Sequence, residues 1–322
     1  MNQEAFKLVK RLCESPDEYS ISVRKNRKGV TLIDAGIQAE GGFNAGRIVT
    51  EICMGGFGVA RIFPKQYDDV ELSCIFVHSD HPAIATFGSQ FAGWQIKKGN
   101  FFAIGSGPAR ALALKPRDIY EKIKYEDKAD IAIMVLETNK EPPEELTNDF
   151  ALECNVSPSQ LYIILTPTTS ITGSTQISGR IVETGLHKLS KLGIDPLSIR
   201  YAWGYAPIAP VHPKFAEAMG ETNDVILYGG VAFYALEHKN DNKLKDLLRK
   251  APSSASNHYG RPFKDIFKEA NYDFYQIDPN LFAPAMFIIN NIVTGSVLQV
   301  GKVNVEVLKQ SLGLVTLDNS QD

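Results

Sequence analysis

Apolar and polar positions along this 322-residue chain form two kinds of pattern, short apolar runs of strand length and longer stretches with a helical period. In the first part of the chain they predict strands at residues 30–36, 58–63, 70–78, 101–104 and 131–137, and helices at 3–14, after Gly46 and at 116–124. In the second part they predict helices at 143–154, 173–192, 230–238 and 240–250, strands at 160–165, 199–206 and 224–229, and a strand-rich end at 285–307. Because the two kinds of element alternate, we expect a mixed α/β (α+β) fold.

The best boundary within the chain is the polar, Pro-rich and charged segment 139–145. It predicts an N-terminal α/β half, residues 1–140, and a C-terminal α/β half, residues 141–322. The second half contains the helix predicted at 173–192, which we call the central helix. A chain of 322 residues suits two such units or one elaborated domain, and the strands near the C-terminus can pack back on the first half.

Two short strings recur in the same order along the chain. Gly46-Arg-Ile-Val-Thr-Glu51 returns 133 residues later as Gly179-Arg-Ile-Val-Glu-Thr184, and residues 104–112 have a looser counterpart 124 residues later at 228–236. Each match alone is short enough to be chance, but together they predict an internal duplication of a strand–helix unit, with an active-site cleft between the two halves.

Composition and charge narrow the class of protein. The chain has 44% hydrophobic and 22% charged residues and a net charge of -3, as expected for a soluble globular enzyme with a small-molecule substrate and no nucleic-acid partner. The first residues lack the apolar core of a signal peptide, and no apolar run approaches the roughly 18 residues of a membrane helix. We therefore expect a cytoplasmic protein that does not bind a membrane.

The cysteines and histidines do not form a metal-binding motif. The chain has four cysteines, far apart and without a Cys-x-x-Cys spacing, so neither a zinc site nor a disulfide framework is expected. His78 and His81 have no further ligand nearby in sequence and precede Pro82, which favours a turn.

Arg180 and Glu183 lie three residues apart near the start of the central helix, and so on one face of it. A carboxylate and a guanidinium presented together form a candidate acid/base site, although an ordinary surface ion pair is the alternative. The small, hydroxyl-rich loop 166–173 before the helix and the recurrence of the arginine as Arg47 favour a ligand-facing cleft. His187 follows one turn later, where a packing role is the more ordinary interpretation.

Residues 105–110 have the composition of a helix-entrance loop whose backbone N–H groups bind an anion. The loop lacks the Gly-Lys-Ser/Thr ending of a nucleotide-binding P-loop and the spacing of a dinucleotide fingerprint, so it does not predict ATP or NAD. A tight strand-to-helix turn is the alternative. Lys97, Lys98 and Arg110 flank the loop and would favour an acidic ligand, unless they form an ordinary solvated surface.

Several strings spread through the chain closely resemble methenyltetrahydromethanopterin cyclohydrolases. They are Ala35-Gly-Ile-Gln-Ala-Glu-Gly-Gly-Phe-Asn-Ala-Gly46, Ala92-Gly-Trp94, Phe101-Phe-Ala-Ile-Gly-Ser-Gly-Pro-Ala-Arg-Ala-Leu112, Gly179-Arg-Ile-Val-Glu183, Trp203-Gly-Tyr-Ala-Pro-Ile-Ala-Pro210 and Asn291-Ile-Val-Thr-Gly295. The resemblance covers essentially the whole chain. It implies the reversible hydrolysis of the methenyl bridge of a pterin one-carbon carrier to the N5-formyl form, in methanogenesis and related one-carbon metabolism, without a dissociable cofactor.

The resemblance also implies roles for single residues. The family's catalytic glutamate corresponds to Glu183 and its neighbouring arginine to Arg180, and a lysine of the family's pocket corresponds to Lys97 or Lys98. The candidate substrate-binding residues are Gly105, Ser106, Gly107, Arg110, Lys98, Gln38, Asn44 and Arg47. Relatives suggest a homo-oligomer such as a homotrimer. Arg180 would lower the pKa of Glu183 and burial in a cleft would raise it, and the sequence leaves the balance open.

Two other functions remain open from the sequence. A phosphate-transfer enzyme would use the Gly105-Ser-Gly107 loop for a nucleotide and would bind ATP with magnesium. A non-catalytic pterin-binding protein would bind the substrate without removing its methenyl chromophore.

Overall fold

The computed structural model describes residues 1–273 and 276–314, and in that part of the chain twelve strands form two six-stranded sheets. The strands are β1 (Ser22–Lys25), β2 (Thr31–Asp34), β3 (Val59–Tyr67), β4 (Val70–Ser79), β5 (Trp94–Lys98), β6 (Phe101–Ser106), β7 (Ala132–Glu137), β8 (Leu161–Leu165), β9 (Ile199–Pro207), β10 (Val231–Leu236), β11 (Met286–Asn291) and β12 (Ser296–Gly301). The first sheet has the order β1-β2-β8-β7-β6-β5 and the second has the order β12-β11-β10-β9-β4-β3.

Helices surround these sheets. They are α1 (Asn2–Glu14), α2 (Phe43–Cys53), α3 (Ala109–Ala113), α4 (Arg117–Ile123), α5 (Glu144–Glu153), α6 (Ile171–Ser178), α7 (Ile181–Lys191), α8 (Phe215–Gly229), α9 (Asp241–Leu248), α10 (Phe263–Glu269) and α11 (Val305–Ser311). A π-helix spans Ala83–Gln90. Short 3-10 turns occupy Pro16–Tyr19, Pro158–Gln160, Pro196–Ser198 and Ser253–Ala255. None of the described helices is long and apolar enough to cross a membrane.

The first sheet is covered on both faces. Its central strands β2, β8 and β7 are parallel and are rich in apolar residues, as expected for strands that are buried on both sides. Because successive side chains point to opposite faces, Met134 packs with Phe150 of α5, whereas Ile133 and Val135 pack in the cluster that contains α1 and α2. On β6, the side chains of Phe102, Ile104 and Ser106 therefore point to the same face as α2.

The second sheet packs one face against helices of the larger core. Alternate residues of β9, including Ala202 and Ala206, belong to this core together with Ile181 and Leu186 of α7. Gly204 lies against the side chain of Ile181, so α7 approaches the sheet closely. This contact fixes the position of α7, which carries Glu183.

The mixed α/β fold expected from the sequence is confirmed, but two elements near residue 230 were predicted in the wrong order. Residues 224–229 form the end of α8 instead of a strand, and residues 230–238 contain β10 instead of a helix. Residues 224–229 are all buried, and β10 is buried apart from the half-buried Phe233. A short apolar run that is buried on all sides has no polar face, so its period does not distinguish a helix from a strand.

The central helix is also divided. It consists of α6 and α7, with Gly179 and Arg180 between them, so Arg180 precedes the helix in whose first turn Glu183 lies.

Each sheet takes strands from both sides of residue 140, the predicted boundary between the two halves of the chain. The expected division at that residue separates β7 from β8, which are hydrogen-bonded neighbours, and likewise β4 from β9. The strands β11 and β12 join the sheet that contains β3 and β4.

The glycines of the two Gly-Arg-Ile-Val strings lie where α2 packs against α6, one within α2 and the other just after the end of α6. A Cβ atom on Gly46 would lie 2.5 Å from Thr175 Cβ, and one on Gly179 would lie 2.4 Å from Thr50 Cγ2. Gly46 of α2 therefore faces Thr175 of α6, and Gly179 at the end of α6 faces Thr50 of α2, so close packing of α2 on α6 explains both glycines. The second repeated pair gives no structural support for a duplication, because residues 104–112 run from strand to helix and residues 228–236 from helix to strand.

We expect Gly46→Ala to destabilise the protein by about 1–3 kcal/mol, because the added methyl group overpacks the contact with Thr175. Urea unfolding would measure the change. Gly42→Ala is the matched control, since nothing lies within 4 Å of a Cβ atom at Gly42. Equal free energies of unfolding for the two variants would contradict the packing argument.

Candidate active site

A buried arginine lies at the junction between α6 and α7. Arg180 is 8% exposed and donates hydrogen bonds from Nη2 to Ser106 Oγ and to Gln176 Oε1, both at 3.0 Å, and from Nη1 to the carbonyl oxygen of Gln90. The thiol of Cys53 lies 3.8 Å from Ser106 Oγ. The guanidinium is thus held by groups from α6, β6 and the π-helix.

Glu183 lies in the first turn of α7 and is 7% exposed. Burial raises the pKa of its carboxyl to about 7, although the positive charges of Arg180 and Arg110 act in the opposite direction. Desolvation therefore outweighs the two arginines, which answers the question that the sequence left open. A carboxyl group with a pKa near 7 can both accept and return a proton at neutral pH.

Arg110 is a second buried arginine near Glu183. Its side chain is fully buried and donates to the carbonyl oxygens of Phe87, Ser89 and Lys115 at 2.8–3.2 Å. The end of the π-helix thus supplies acceptors to both arginines, and π-helical segments are frequent at functional sites. Arg110 was predicted as a substrate-binding residue, and the structure places its guanidinium in these backbone hydrogen bonds, with a charge that acts on Glu183.

Buried polar atoms without a hydrogen-bond partner in the described chain gather around this site. They are Ser89 Oγ, Gln90 Oε1, Arg110 Nη2, Gln176 Nε2, Ser178 Oγ and Arg180 Nε. Because buried polar groups in proteins are nearly always paired, this concentration indicates a place where water or a polar ligand binds.

A cavity of about 920 Å³ opens between the first sheet and the helices α8 and α10. It is lined by Gln95, Asn100, Phe102, Ile104, Glu137, Thr138, Asn139, Lys140, Pro167, Thr168, Thr169, Pro213, Phe215, Ala216, Met219, Phe267 and Tyr272. Arg180 and Glu183 are not among the lining residues. The cavity approaches Arg180 along β6, since Ile104 lines it and Ser106, which contacts Arg180, follows on the same face of the strand, about 7 Å further on.

The Gly105-Ser-Gly107 loop does not present free amides to an anion. Gly105 lies within β6, opposite Trp94 and Leu136, and the N–H of Gly107 donates to the carbonyl oxygen of Ser89 at 2.9 Å. The helix that follows has only five residues. Ser106 is the member of the loop that enters the site, and the anion-binding geometry on which a phosphate-transfer enzyme would depend is not formed.

The structure distinguishes between the two lysines of β5. Lys98 pairs with Asp149 at 3.0 Å and with Glu145 at 3.5 Å at the exposed surface of α5. Lys97 stands opposite Phe102, a residue that lines the cavity. Since residues directly opposite each other in antiparallel strands share a face, Lys97 belongs to the cavity side of the sheet and the predicted binding residue Lys98 to the other.

The remaining binding candidates lie on α2 and the loop before it. Gln38 and Asn44 are exposed, and the N–H of Gln38 is one of four consecutive backbone amides bound by the carboxylate of Asp34. Arg47 pairs with Glu51 at 3.2 Å, and Glu51 also accepts a hydrogen bond from the N–H of Ala60. The first copy of the repeat thus forms an ion pair within one helix.

His187 packs between the rings of Phe87 and Phe91, with ring centres 6.0 and 5.2 Å away. Burial, with the charges of Lys191 and Lys122, lowers its pKa to about 4, so it is neutral at physiological pH. The packing interpretation of His187 is therefore confirmed. Among the described residues, no three His, Cys, Asp or Glu side chains form a group that could hold a metal ion.

Sequence reasoning missed Gln90, Gln176 and Glu137 of the site and its cavity. Gln176 precedes Arg180 by four residues, a helical spacing that could have identified it. Gln90 contributes a backbone carbonyl and Glu137 ends a buried strand, so neither carries a signal in the sequence pattern.

Comparisons with known proteins agree over almost the whole chain. The family model described as "Cyclohydrolase (MCH)" matches residues 1–312. The methenyltetrahydromethanopterin cyclohydrolase of Methanothermobacter marburgensis is 48% identical over 317 residues, which cover 98% of this chain and 99% of that protein. Those of Methanothermobacter thermautotrophicus and Methanocaldococcus jannaschii are 46% and 45% identical, each covering 98% of this chain and 99% of the relative. The chain therefore belongs to the cyclohydrolase (MCH) family.

Proposed function

We propose that this protein catalyses the reversible hydrolysis of 5,10-methenyltetrahydromethanopterin to 5-formyltetrahydromethanopterin in one-carbon metabolism. The observation that carries the proposal is Glu183, an almost fully buried carboxyl group with a pKa of about 7 next to Arg180, in a chain whose relatives bear the name of that enzyme. The site supports acid/base chemistry on a water molecule.

The chemistry follows from the substrate. The methenyl carbon belongs to a resonance-stabilised N–C–N cation and is already electrophilic, so the reaction needs a positioned water and a base. The carboxylate of Glu183 takes a proton from water while the water oxygen forms a bond to the methenyl carbon. When the tetrahedral adduct collapses, its C–N10 bond breaks and the carboxylic acid returns a proton to N10. The hydroxyl group of the adduct releases its proton to solvent as its oxygen becomes the carbonyl oxygen of the formyl group, which stays on N5. No dissociable cofactor enters this sequence.

Arg180 is proposed to position and tune Glu183. Its guanidinium is fixed by Gln90, Ser106 and Gln176, so its charge has a defined place from which it acts on the carboxyl group of Glu183. That charge favours the ionised form of Glu183 and keeps the pKa from rising further above 7. The balance leaves a base that is half ionised near neutral pH.

The 920 Å³ cavity is proposed to receive the substrate. Its volume lies in the upper part of the usual range for ligand sites, and its wall combines apolar and aromatic residues with a few polar groups. On the cavity side of β5, Lys97 is a better candidate than Lys98 for the acidic tail of the substrate. We also expect a cytoplasmic homo-oligomer such as a homotrimer, which light scattering on the purified protein would test.

An absorbance assay tests the proposed function. Purified protein mixed with 5,10-methenyltetrahydromethanopterin should remove the methenyl chromophore at a rate proportional to enzyme concentration. A non-catalytic pterin-binding protein would bind the compound and leave the chromophore unchanged. Binding of ATP that depends on magnesium, with no loss of the chromophore, would instead support phosphate transfer.

We expect the enzymatic rate of hydrolysis to rise with pH and to level off above pH about 7. The pKa of Glu183 is raised above its ordinary value, so the carboxyl is protonated and unable to act as a base below about 7. Formation of the methenyl compound from the formyl compound needs the protonated form, and its rate should fall through the same pH range. Initial rates corrected for the uncatalysed reaction would measure both profiles. Profiles without a transition between pH 5 and 9 would contradict the assignment.

A further inference from the structure

We propose that Glu137 is a specificity-determining residue that binds the amino-pyrimidinone edge of the pterin ring. The inference rests on the proposed function, because it deepens the description of the same substrate site. It concerns a carboxylate that the acid/base chemistry of Glu183 does not use.

Glu137 is the acidic residue of the cavity wall. Among the described residues that line the cavity, only Glu137 and Lys140 carry a charge. Lys140 belongs to an exposed stretch at the rim, whereas Glu137 is half-buried at the end of β7. A ligand that fills the cavity therefore contacts one carboxylate below the surface. The ligand group that binds a carboxylate most strongly is a pair of parallel N–H donors.

The carboxylate is held in place by one neighbour. Its Oε1 accepts a hydrogen bond of 2.6 Å from Thr168 Oγ1, and Thr168 is itself buried at 3% exposure. The side chain forms no ion pair within 4.0 Å in the described part of the chain. Both oxygens thus keep lone pairs for a ligand, while Thr168 restricts the rotation of the group.

Glu137 lies on the same face of the first sheet as Ser106, which contacts Arg180 of the acid/base site. Glu137 stands opposite Ile104 in the antiparallel pairing of β7 with β6, and Ser106 lies one strand repeat further on the same face, about 7 Å away. Ser106 contacts Arg180. A flat ring system bound by Glu137 along β6 therefore extends toward Arg180 and Glu183.

The thiol of Cys53 lies within the electrostatic reach of both Glu137 and Arg180. Burial is the main cause that raises its pKa, Arg180 and Ser106 act in the opposite direction, and the negative charge of Glu137 raises it further. One thiol thus senses the charges of both Arg180 and Glu137. The charges of the cavity carboxylate and of Arg180 therefore act on the same buried side chain.

The chemistry of the pterin ring complements this arrangement. Its amino-pyrimidinone edge presents the ring N3–H and the 2-amino N–H side by side, in the same fork as one edge of a guanidinium group. A carboxylate accepts two such parallel hydrogen bonds. A ring in which a carbonyl replaces the 2-amino group presents an acceptor there and is repelled by the carboxylate.

Glu137→Gln tests the inference with two probes. In calorimetric titrations, wild-type protein should bind 6-methylpterin about 10–100 times more tightly than 6-methyllumazine, which carries a 2-carbonyl group, as expected for hydrogen bonds to a charged group. The variant should reduce this ratio to a few-fold. In the hydrolysis assay its KM should rise at least about tenfold with kcat nearly unchanged. Thermal stability should be retained, because the glutamine oxygen still accepts the hydrogen bond from Thr168.

Glu141→Gln is the matched control, since Glu141 is an exposed carboxylate four residues further along that pairs with Arg24 and does not line the cavity. It should keep the wild-type ratio and KM. The inference is overturned if Glu137→Gln retains the wild-type ratio, or if wild-type protein does not bind 6-methylpterin. Failure of the proposed function gives a different result, in which wild-type protein discriminates between the probes without removing the methenyl chromophore.

Discussion

Glu183→Gln is expected to lower kcat by a factor on the order of 10²–10⁴, the usual contribution of a positioned acid/base group, and so to abolish turnover in ordinary assays. Glutamine has nearly the same shape and fits the same almost closed site, but it neither accepts a proton from water nor returns one to N10. Binding of the methenyl substrate should persist, because the cavity wall is unchanged. Stopped-flow absorbance for turnover and a titration for binding would measure the two effects separately.

Glu51→Gln provides the control for this variant. Glu51 is the acid of the first repeated string, is also buried, and forms an ion pair with Arg47 within its own helix. We expect its loss to change stability and to leave kcat within a few-fold of wild type. A Glu183→Gln enzyme that retains a near wild-type rate would refute the role of Glu183.

Arg180→Ala is expected to have the second largest effect, a loss of kcat on the order of 10²–10³, the size seen when one preorganised electrostatic group is removed from an active site. Arg180 lowers the pKa of Glu183 against the effect of burial, so its removal raises that pKa above about 7. The midpoint of the pH profile for hydrolysis should therefore move to higher pH. A purely structural role for Arg180 would lower the rate without this displacement.

The same variant should also reduce stability. It leaves Gln90, Ser106 and Gln176 without their donor in a buried place, and an unpaired buried polar group costs about 1–3 kcal/mol. Arg180→Lys should retain part of the rate and a midpoint closer to that of wild type, because the positive charge remains. Arg200→Ala, which removes an exposed pair with Glu237, is the control. A wild-type midpoint in Arg180→Ala would exclude the proposed tuning.

Much of the fold could be predicted from the pattern of the sequence. The helix at the N-terminus and the buried strands β7 and β8 were identified because their apolar runs have clear lengths and polar boundaries. The prediction failed at residues 224–236, where the end of α8 and most of β10 lie in the core. Tertiary burial removed the polar face that would have shown the period, and neighbouring elements decided which segment became the helix.

For the site, the sequence supplied the residue types and the resemblance supplied their roles. It did not show that Arg180 directs its hydrogen bonds to β6 and the π-helix, since those partners lie 74 and 90 residues away. The choice between Lys97 and Lys98 also needed the structure. Neighbouring residues of a strand point to opposite faces of the sheet, so a shift of one residue in register moves a side chain to the other face. Only the pairing of β5 with β6 showed which of the two lysines lies on the cavity side.

By itself the sequence determined the mixed α/β class, the family resemblance and the pair of candidate acid/base residues, because these depend on local period and on strings of neighbouring residues. Only the tertiary structure decided how strongly Glu183 holds its proton. Its pKa depends on desolvation by surrounding elements and on two arginines, one of them 73 residues away in sequence (183 minus 110) and held in place by the π-helix. Such sums of distant contacts determine whether a carboxyl group is a surface charge or a base with a pKa near 7.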